Sequence, residues 1–431
     1  MAAVTSALPA LAVHNNETLL FFTLLELAII VAAARLAAAL ARRIGQSEVV
    51  GEIVVGVLLG PSLFGWAAPQ AFNFVFRSAP PEPLQTLSGL ALVLMMFQIG
   101  LEFDFSHLTV RGNRAVALRV GTACLMLPFA LGLALGYYAA PILSPQANRL
   151  DSALFIATAF SITALPVLGR IMLDLQIART ELAVIAISAA ALNDVVGWLL
   201  LALVTALSVA SFDGAHYGLR VLMLAGYILL CVAWVRPLLK KIVRRCDLSA
   251  GRMSGALLSF LLCMIFLSAM VTYELGIFAV FGAFMMGVIL FDEPQLVRAW
   301  RERVGDFVTV FFLPIYFTYT GLRTSVDSLG SAQLWGWCAL TIALATLGKF
   351  GGTYIGARRS LDHNSATILS FMMNTRGLVE LVVINVGLDL GVISREMFTI
   401  LVLMALVSTV ITTPALRFYL PRAGIALPAR R

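Results

Sequence analysis

Gly51-Glu-Ile-Val-Val-Gly56-Val-Leu-Leu59 and Gly282-Ala-Phe-Met-Met-Gly287-Val-Ile-Leu290 share one pattern, a glycine pair at the same spacing followed by an aliphatic triplet. A second match follows each of them. Ile99-Gly100-Leu101-Glu102-Phe103-Asp104 closes the third apolar run of the chain, and Thr320-Gly321-Leu322-Arg323-Thr324-Ser325 closes the tenth. One glycine match arises readily between membrane helices, where small residues let backbones approach. Two matches in the same order predict a duplicated unit. Because an odd number of apolar runs separates the copies, a membrane would hold them in opposite orientations, as an inverted repeat. Transporters built this way bind substrate near the bilayer midplane, at helices interrupted in the middle.

The composition makes the bilayer the main solvent. Hydrophobic residues fill 60% of 431 positions and charged residues 12%, whereas about a quarter of residues in soluble domains are charged. Apolar runs of roughly 20 residues, long enough to cross a hydrocarbon core about 30 Å thick, recur from about 18 to 420. The predicted fold is an all-α membrane protein with 13 transmembrane helices, two inverted six-helix repeats and discontinuous crossing helices. Repeat one covers about 18–209, a linker helix about 218–236 and repeat two about 254–420, as a single membrane transport domain. Of the 30 lysines and arginines, 22 fall on one side of the alternating connections, 5 on the other and 3 inside spans. The positive-inside rule places the 22 in the cytoplasm, so the N-terminus is expected outside and the C-terminus inside. Moving the count by one span in mid-chain would largely cancel this bias. The net charge of +7 therefore reflects topology and not a nucleic-acid partner. The five cysteines are scattered without metal-ligand or disulfide spacing. No basic segment precedes the first apolar run, so a cleaved signal peptide is not expected.

Ionisable side chains deep in a span cost roughly 3 kcal/mol on insertion scales and mark function by default. Asn193-Asp194 follows a long uncharged stretch of the sixth span, 180–209, and precedes Trp198 and several leucines. That placement puts Asp194 near the midplane. A lone carboxylate there must be neutralised by a proton, a metal ion or a basic group, and the first two exclude each other. Such competition is the chemistry of an exchanger; a helix–helix hydrogen bond is the structural alternative. In the fifth span, 150–173, Ser161-Ile-Thr163-Ala-Leu-Pro166 combines two hydroxyls with a proline that removes a backbone donor. Oxygen ligands of this kind suit hard alkali cations. The twelfth span, 364–388, mirrors it with Asn374-Thr375-Arg376-Gly377 and Glu380. Arg376 and Glu380, at i,i+4, can neutralise each other as a structural pair or as part of the ion path. Lys349, within the eleventh span at 334–357, either pairs with a buried carboxylate, gives up its proton, or snorkels to an interface. Glu26, Arg35 and Glu52 are read as polar residues of a scaffold or a dimer face.

Seven stretches, in order, are similar to the cation:proton antiporter-2 family, which includes bacterial Kef-type potassium exchangers and plant CHX-type cation/proton exchangers. They are Gly51–Ser62, Ile99–Asp104, Ser161–Val167, Leu192–Leu200, Phe281–Gly287, Leu313–Leu322 and Asn374–Leu381. The last two, and Asn193-Asp194-Val195 with Trp198, resemble the CHX branch more. The resemblance implies a homodimer with a dimer-forming scaffold and a mobile core, whose fifth and twelfth spans are interrupted beside the ion. It implies that Asp194 holds the monovalent cation and that Lys349 lies near the position of a basic residue pairing with that site. Asn193 stands where electrogenic relatives carry aspartate, which points to electroneutral exchange. The sequence ends about 11 residues after its last span, so neither a Kef-type nucleotide-binding domain nor gating by NAD or glutathione adducts is expected.

The function expected is secondary transport of K+ or Na+ in exchange for H+ by alternating access, in the lipid bilayer of a bacterial inner membrane. The ion- and proton-binding residues are Asp194, Asn193, Ser161 and Thr163, and the coupling charges Lys349, Arg376 and Glu380. A proton- or sodium-coupled carrier of an organic solute is the alternative, since fold alone does not fix cargo. A channel or a membrane sensor is a third class. No nucleophile–base pair or phosphate-binding loop stands out, so neither an enzyme nor a cofactor is expected.

Overall fold

The computed structural model describes residues 2–78, 80–102, 114–177, 180–209, 214–246, 248, 253–275 and 279–425. Phe103 and Asp104, which end one glycine motif, lie outside the described residues, as do Arg111, Arg179, Arg252, Arg430 and Arg431. All regular structure among the described residues is helical. The first half contains α1 (Ala2–Arg43), α2 (Glu48–Leu58), α3 (Pro69–Phe76), α4 (Glu82–Glu102), α5 (Arg114–Leu143), α6 (Arg149–Ser161), α7 (Leu165–Asp174) and α8 (Glu181–Val209). Helices α9 (Gly214–Leu230) and α10 (Arg236–Val243) form the connection. The second half contains α11 (Gly255–Glu274), α12 (Ala279–Val288), α13 (Pro294–Trp300), α14 (Leu313–Leu322), α15 (Ala332–Arg358), α16 (His363–Met373), α17 (Leu378–Asp389) and α18 (Arg395–Tyr419). Eight helices among the described residues are long and apolar enough to cross a membrane.

The glycine motifs lie on two short helices. α2 has 11 residues and α12 has 10, which at 1.5 Å per residue gives roughly 15–16 Å, about half a hydrocarbon core. Protein encloses α12, whose residues Val280–Gly287 are all buried, and covers one side of α2, where Val50–Ile53, Gly56 and Val57 are buried. The glycines explain how. A β-carbon on Gly56 would come within 2.7 Å of the Phe317 carbonyl of α14, and one on Gly321 would overlap the Gly56 carbonyl. In the same way Gly287 of α12 meets the Phe97 carbonyl, and Gly100 meets that of Phe284. Each motif helix of one half therefore packs against the next span of the other half, at backbone contact that only glycine permits.

Two bodies result. Helices α1, α2, α4, α11, α12 and α14 pack on one another, and α5–α8 pack with α15–α18. The connection is anchored at its basic end, where Arg236 and Lys240 bind Asp292, and Arg244 binds Glu293 at 2.7 Å. Partial burial works against ionising Asp292, but the hydrogen bonds and charges of Lys240 and Arg236 outweigh it and hold the carboxyl below its usual range.

Candidate ion-binding site at two interrupted helices

The fifth and twelfth apolar runs are each broken into two helices. α6 stops at Ser161 and α7 starts at Leu165; α16 stops at Met373 and α17 starts at Leu378. Pro166 lies at the break, beside which the sequence places it. It is the second residue of α7, where a helix has no use for the missing N–H. The breaks touch: the Ala164 amide donates to the Thr375 carbonyl at 3.1 Å, and the Thr163 hydroxyl to the Met373 carbonyl at 3.2 Å. Two helix C-termini, each with orphan carbonyls and partial negative charge, therefore meet two N-termini with orphan amides and partial positive charge.

Buried cations cap one of the C-termini. Arg376, in the break before α17, donates to the Ala159 and Phe160 carbonyls of α6 at 3.2 Å each and to Ala345 of α15 at 3.2 Å. It also donates to Glu380, at 2.7 Å, in the first turn of α17, with both side chains fully buried. The sequence places this pair on one helix face; the structure puts only Glu380 in the helix. Lys349 takes the next carbonyl, that of Ser161, together with the Thr163 hydroxyl at 2.7 Å. Its third neighbour is the Cys124 sulfur at 3.5 Å. Lys349 is fully buried and so does not snorkel, and its hydrogen bonds go to neutral acceptors and not to a carboxylate. The Ser161 hydroxyl turns back to the Ala157 carbonyl, so the oxygen that Ser161 offers at the break is its backbone one.

Asp194 projects from α8 at the other end of this arrangement. It is completely buried, and neither carboxylate oxygen has a hydrogen-bond partner among the described residues. The Leu165 amide at the start of α7 faces it but falls short of hydrogen-bond geometry, and Lys349 lies within electrostatic reach. Gly197, one turn on, sets this approach: a β-carbon there would be 2.7 Å from Ile162 in the break. Asn193 is equally buried, and both ends of its amide lack partners among the described residues. Buried polar atoms are nearly always bonded, and here four atoms in two adjacent side chains lack a partner among the described residues.

The structure thus gathers Asp194, Asn193, Thr163, the Ser161 carbonyl, Lys349, Arg376 and Glu380 around one crossing. Sequence reasoning missed Cys124 of α5, a lone cysteine with no spacing to single it out, and Thr409 of α18, which accepts from the Arg376 amide at 3.1 Å and donates back to its carbonyl at 2.7 Å. No cluster of metal-binding side chains of the His, Cys, Asp and Glu kind occurs among the described residues. The polar groups here are instead main-chain and hydroxyl oxygens together with two buried carboxylates, Asp194 and Glu380.

Residues 29–421 match the sodium/hydrogen exchanger, transmembrane, family. The chain is 37% identical over 405 residues to the Na(+)/H(+) antiporter NhaS4 of Synechocystis sp., covering 93% of this chain and 97% of that protein. It is 38% identical over 394 residues to the Cation/H(+) antiporter 17 of Arabidopsis thaliana, covering 91% of this chain but 47% of that protein. The chain spans about half the length of such plant relatives. The structure of the sodium proton antiporter MjNhaP1 from Methanocaldococcus jannaschii aligns with a TM-score of 0.60 over 92% of this chain and 96% of that one, at 14% identity, a likeness of fold. With the family matched across nearly its whole length and with interrupted helices meeting beside a buried carboxylate, the chain belongs to the sodium/hydrogen exchangers, a family of cation:proton antiporters.

Proposed function

We propose that the protein exchanges a monovalent cation, K+ or Na+, for H+ across the membrane, electroneutrally and by alternating access. The observation that carries this is Asp194, fully buried and without a hydrogen-bond partner among the described residues, at the meeting point of two interrupted helices. A proton or a cation can satisfy that carboxylate, but not both, and each departs in favour of the other as the site changes face. Relatives named as Na(+)/H(+) and cation/H(+) antiporters support the same chemistry. Asn193 supports the electroneutral stoichiometry, since it leaves one titratable group where two would carry a net charge. The crosswise packing of α2 with α14 and α12 with α4 supports an inverted repeat within a single transport domain, and the distribution of lysines and arginines supports 13 spans with the basic side and C-terminus in the cytoplasm. The homodimer and the bacterial inner membrane rest on the resemblance.

The direct test is dissipation of a pH gradient in proteoliposomes on adding sodium, potassium, lithium or rubidium. Alkali cations alone should suffice. A need for an organic solute would overturn the proposal in favour of a coupled carrier.

Lys349 occupies oxygens of the type a cation would use, so it acts as a tethered competitor. Lys349→Gln is expected to lower the cation concentration for half-maximal exchange by roughly tenfold, the value of one charge-assisted hydrogen bond. An unchanged or higher concentration would assign the lysine to the fold alone. Asn193→Asp adds a second titratable group and should make exchange voltage-sensitive, each net charge being worth about 2.3 kcal/mol per 100 mV. Exchange rates at clamped membrane potentials check this, and a flat response would turn position 193 away from the ion.

A further inference from the structure

The two packed bodies are tied by ion pairs at opposite ends of α2. At one end Glu48, its first residue, binds Arg170 of α7 at 3.3 Å and Arg42 of α1 at 2.9 Å. At the other, Gly60 packs against Gly321, and Arg323, just beyond, pairs with Asp389, the last residue of α17. Arg323 also donates to Asn385 of α17 at 3.1 Å, and Asn385 donates to Thr320 of α14 at 2.9 Å. The 11 residues of α2 separate these ends by about 16 Å. Between them the interface is an apolar seam, with Val50 and Ile53 of α2 facing Gly377, Leu381 and Ala405.

Both pairs involve half-helices that begin at the ion site. Arg170 is in the second turn of α7, whose first residue faces Asp194, and Asp389 ends α17, whose start carries Glu380. Any displacement of the crossing relative to α2 and α14 must therefore stretch one pair or the other. Their exposure suits repeated opening. Arg323 and Asp389 are 20% and 47% exposed, and Arg170 and Glu48 are 44% and 15%, so water can solvate the separated charges and the pairs are individually weak.

We propose that Glu48–Arg170 and Arg323–Asp389 are alternating latches, each holding its face of the interface shut while the other face opens to the ion. The inference rests on the exchange function proposed above. Apparent affinity at a face is the intrinsic affinity scaled by the fraction of molecules open there. Asp389→Asn should lower the half-saturating cation concentration at the Arg323 face by about threefold and raise it at the Glu48 face, measured in membrane vesicles of the two orientations. Glu48→Gln should do the reverse, and combining the two should return both faces toward wild type. Equal changes on both faces, or none, overturn the latches. The charge swap Arg323→Asp/Asp389→Arg should restore the wild-type asymmetry; failure of the swap in a folded protein also counts against them. Amide hydrogen exchange gives a readout independent of transport: Asp389→Asn should speed exchange across 385–394 and leave 44–50 unchanged. That asymmetry in a protein without cation-dependent proton movement would refute the exchange function while supporting the latches, and its absence in an active exchanger would refute the latches alone.

Discussion

Asp194→Asn is expected to abolish cation-dependent proton movement and to leave the protein folded. The side chain is completely buried and makes no hydrogen bond within the described residues, so the amide nearly preserves its shape while losing the capacity to take up a proton or neutralise a cation. No packing contact is removed. The melting temperature in detergent is expected to stay equal or to rise, because a buried carboxylate that needs neutralising is replaced by a neutral group. Exchange in proteoliposomes should fall to the level of empty vesicles. Retention of wild-type exchange would move the ion to another carboxylate, with Glu380 the nearest alternative at the crossing.

Arg376→Gln is expected to show the opposite signature: a large loss of stability. The guanidinium neutralises Glu380 and satisfies the Ala159, Phe160 and Ala345 carbonyls, all out of reach of water. Removing one partner of a buried ion pair costs roughly 3–5 kcal/mol, mostly through the charge left behind. Low yield and a strongly lowered melting temperature are expected. Arg376→Gln/Glu380→Gln removes the stranded charge and should recover part of that loss, leaving the uncapped end of α6 as the residual defect. Normal exchange by the double variant would make the pair a strut. Lost exchange in a folded double variant would place it on the ion path. A wild-type melting temperature in the single variant would remove its capping role.

What the sequence determined by itself were properties carried by short windows. Hydropathy and length identified a helical membrane protein, because the cost of burying an unpaired peptide group in lipid permits little else. Two glycine motifs announced close helix contacts, and Asn193-Asp194, Ser161–Pro166 and Asn374–Glu380 marked the central polar stretches, because polar groups are conspicuous where nearly everything is apolar. The partners of those groups were not legible. Arg376 and Glu380 looked like a local helical pair, yet Arg376 also reaches α6 and α15, because the break frees it from the helix and the orphan carbonyls of α6 lie within its span. The sequence leaves Lys349 open to pairing with a carboxylate, giving up its proton or snorkelling; in the structure its ammonium sits on Ser161, Thr163 and Cys124, within electrostatic reach of Asp194. That choice depends on α5, α6 and α15 converging from positions up to 225 residues apart. Only the tertiary structure decides it, because hydrogen bonds and ion pairs act over a few ångströms and are set by which helix ends meet, while spacing along the chain fixes only which groups must find a partner somewhere.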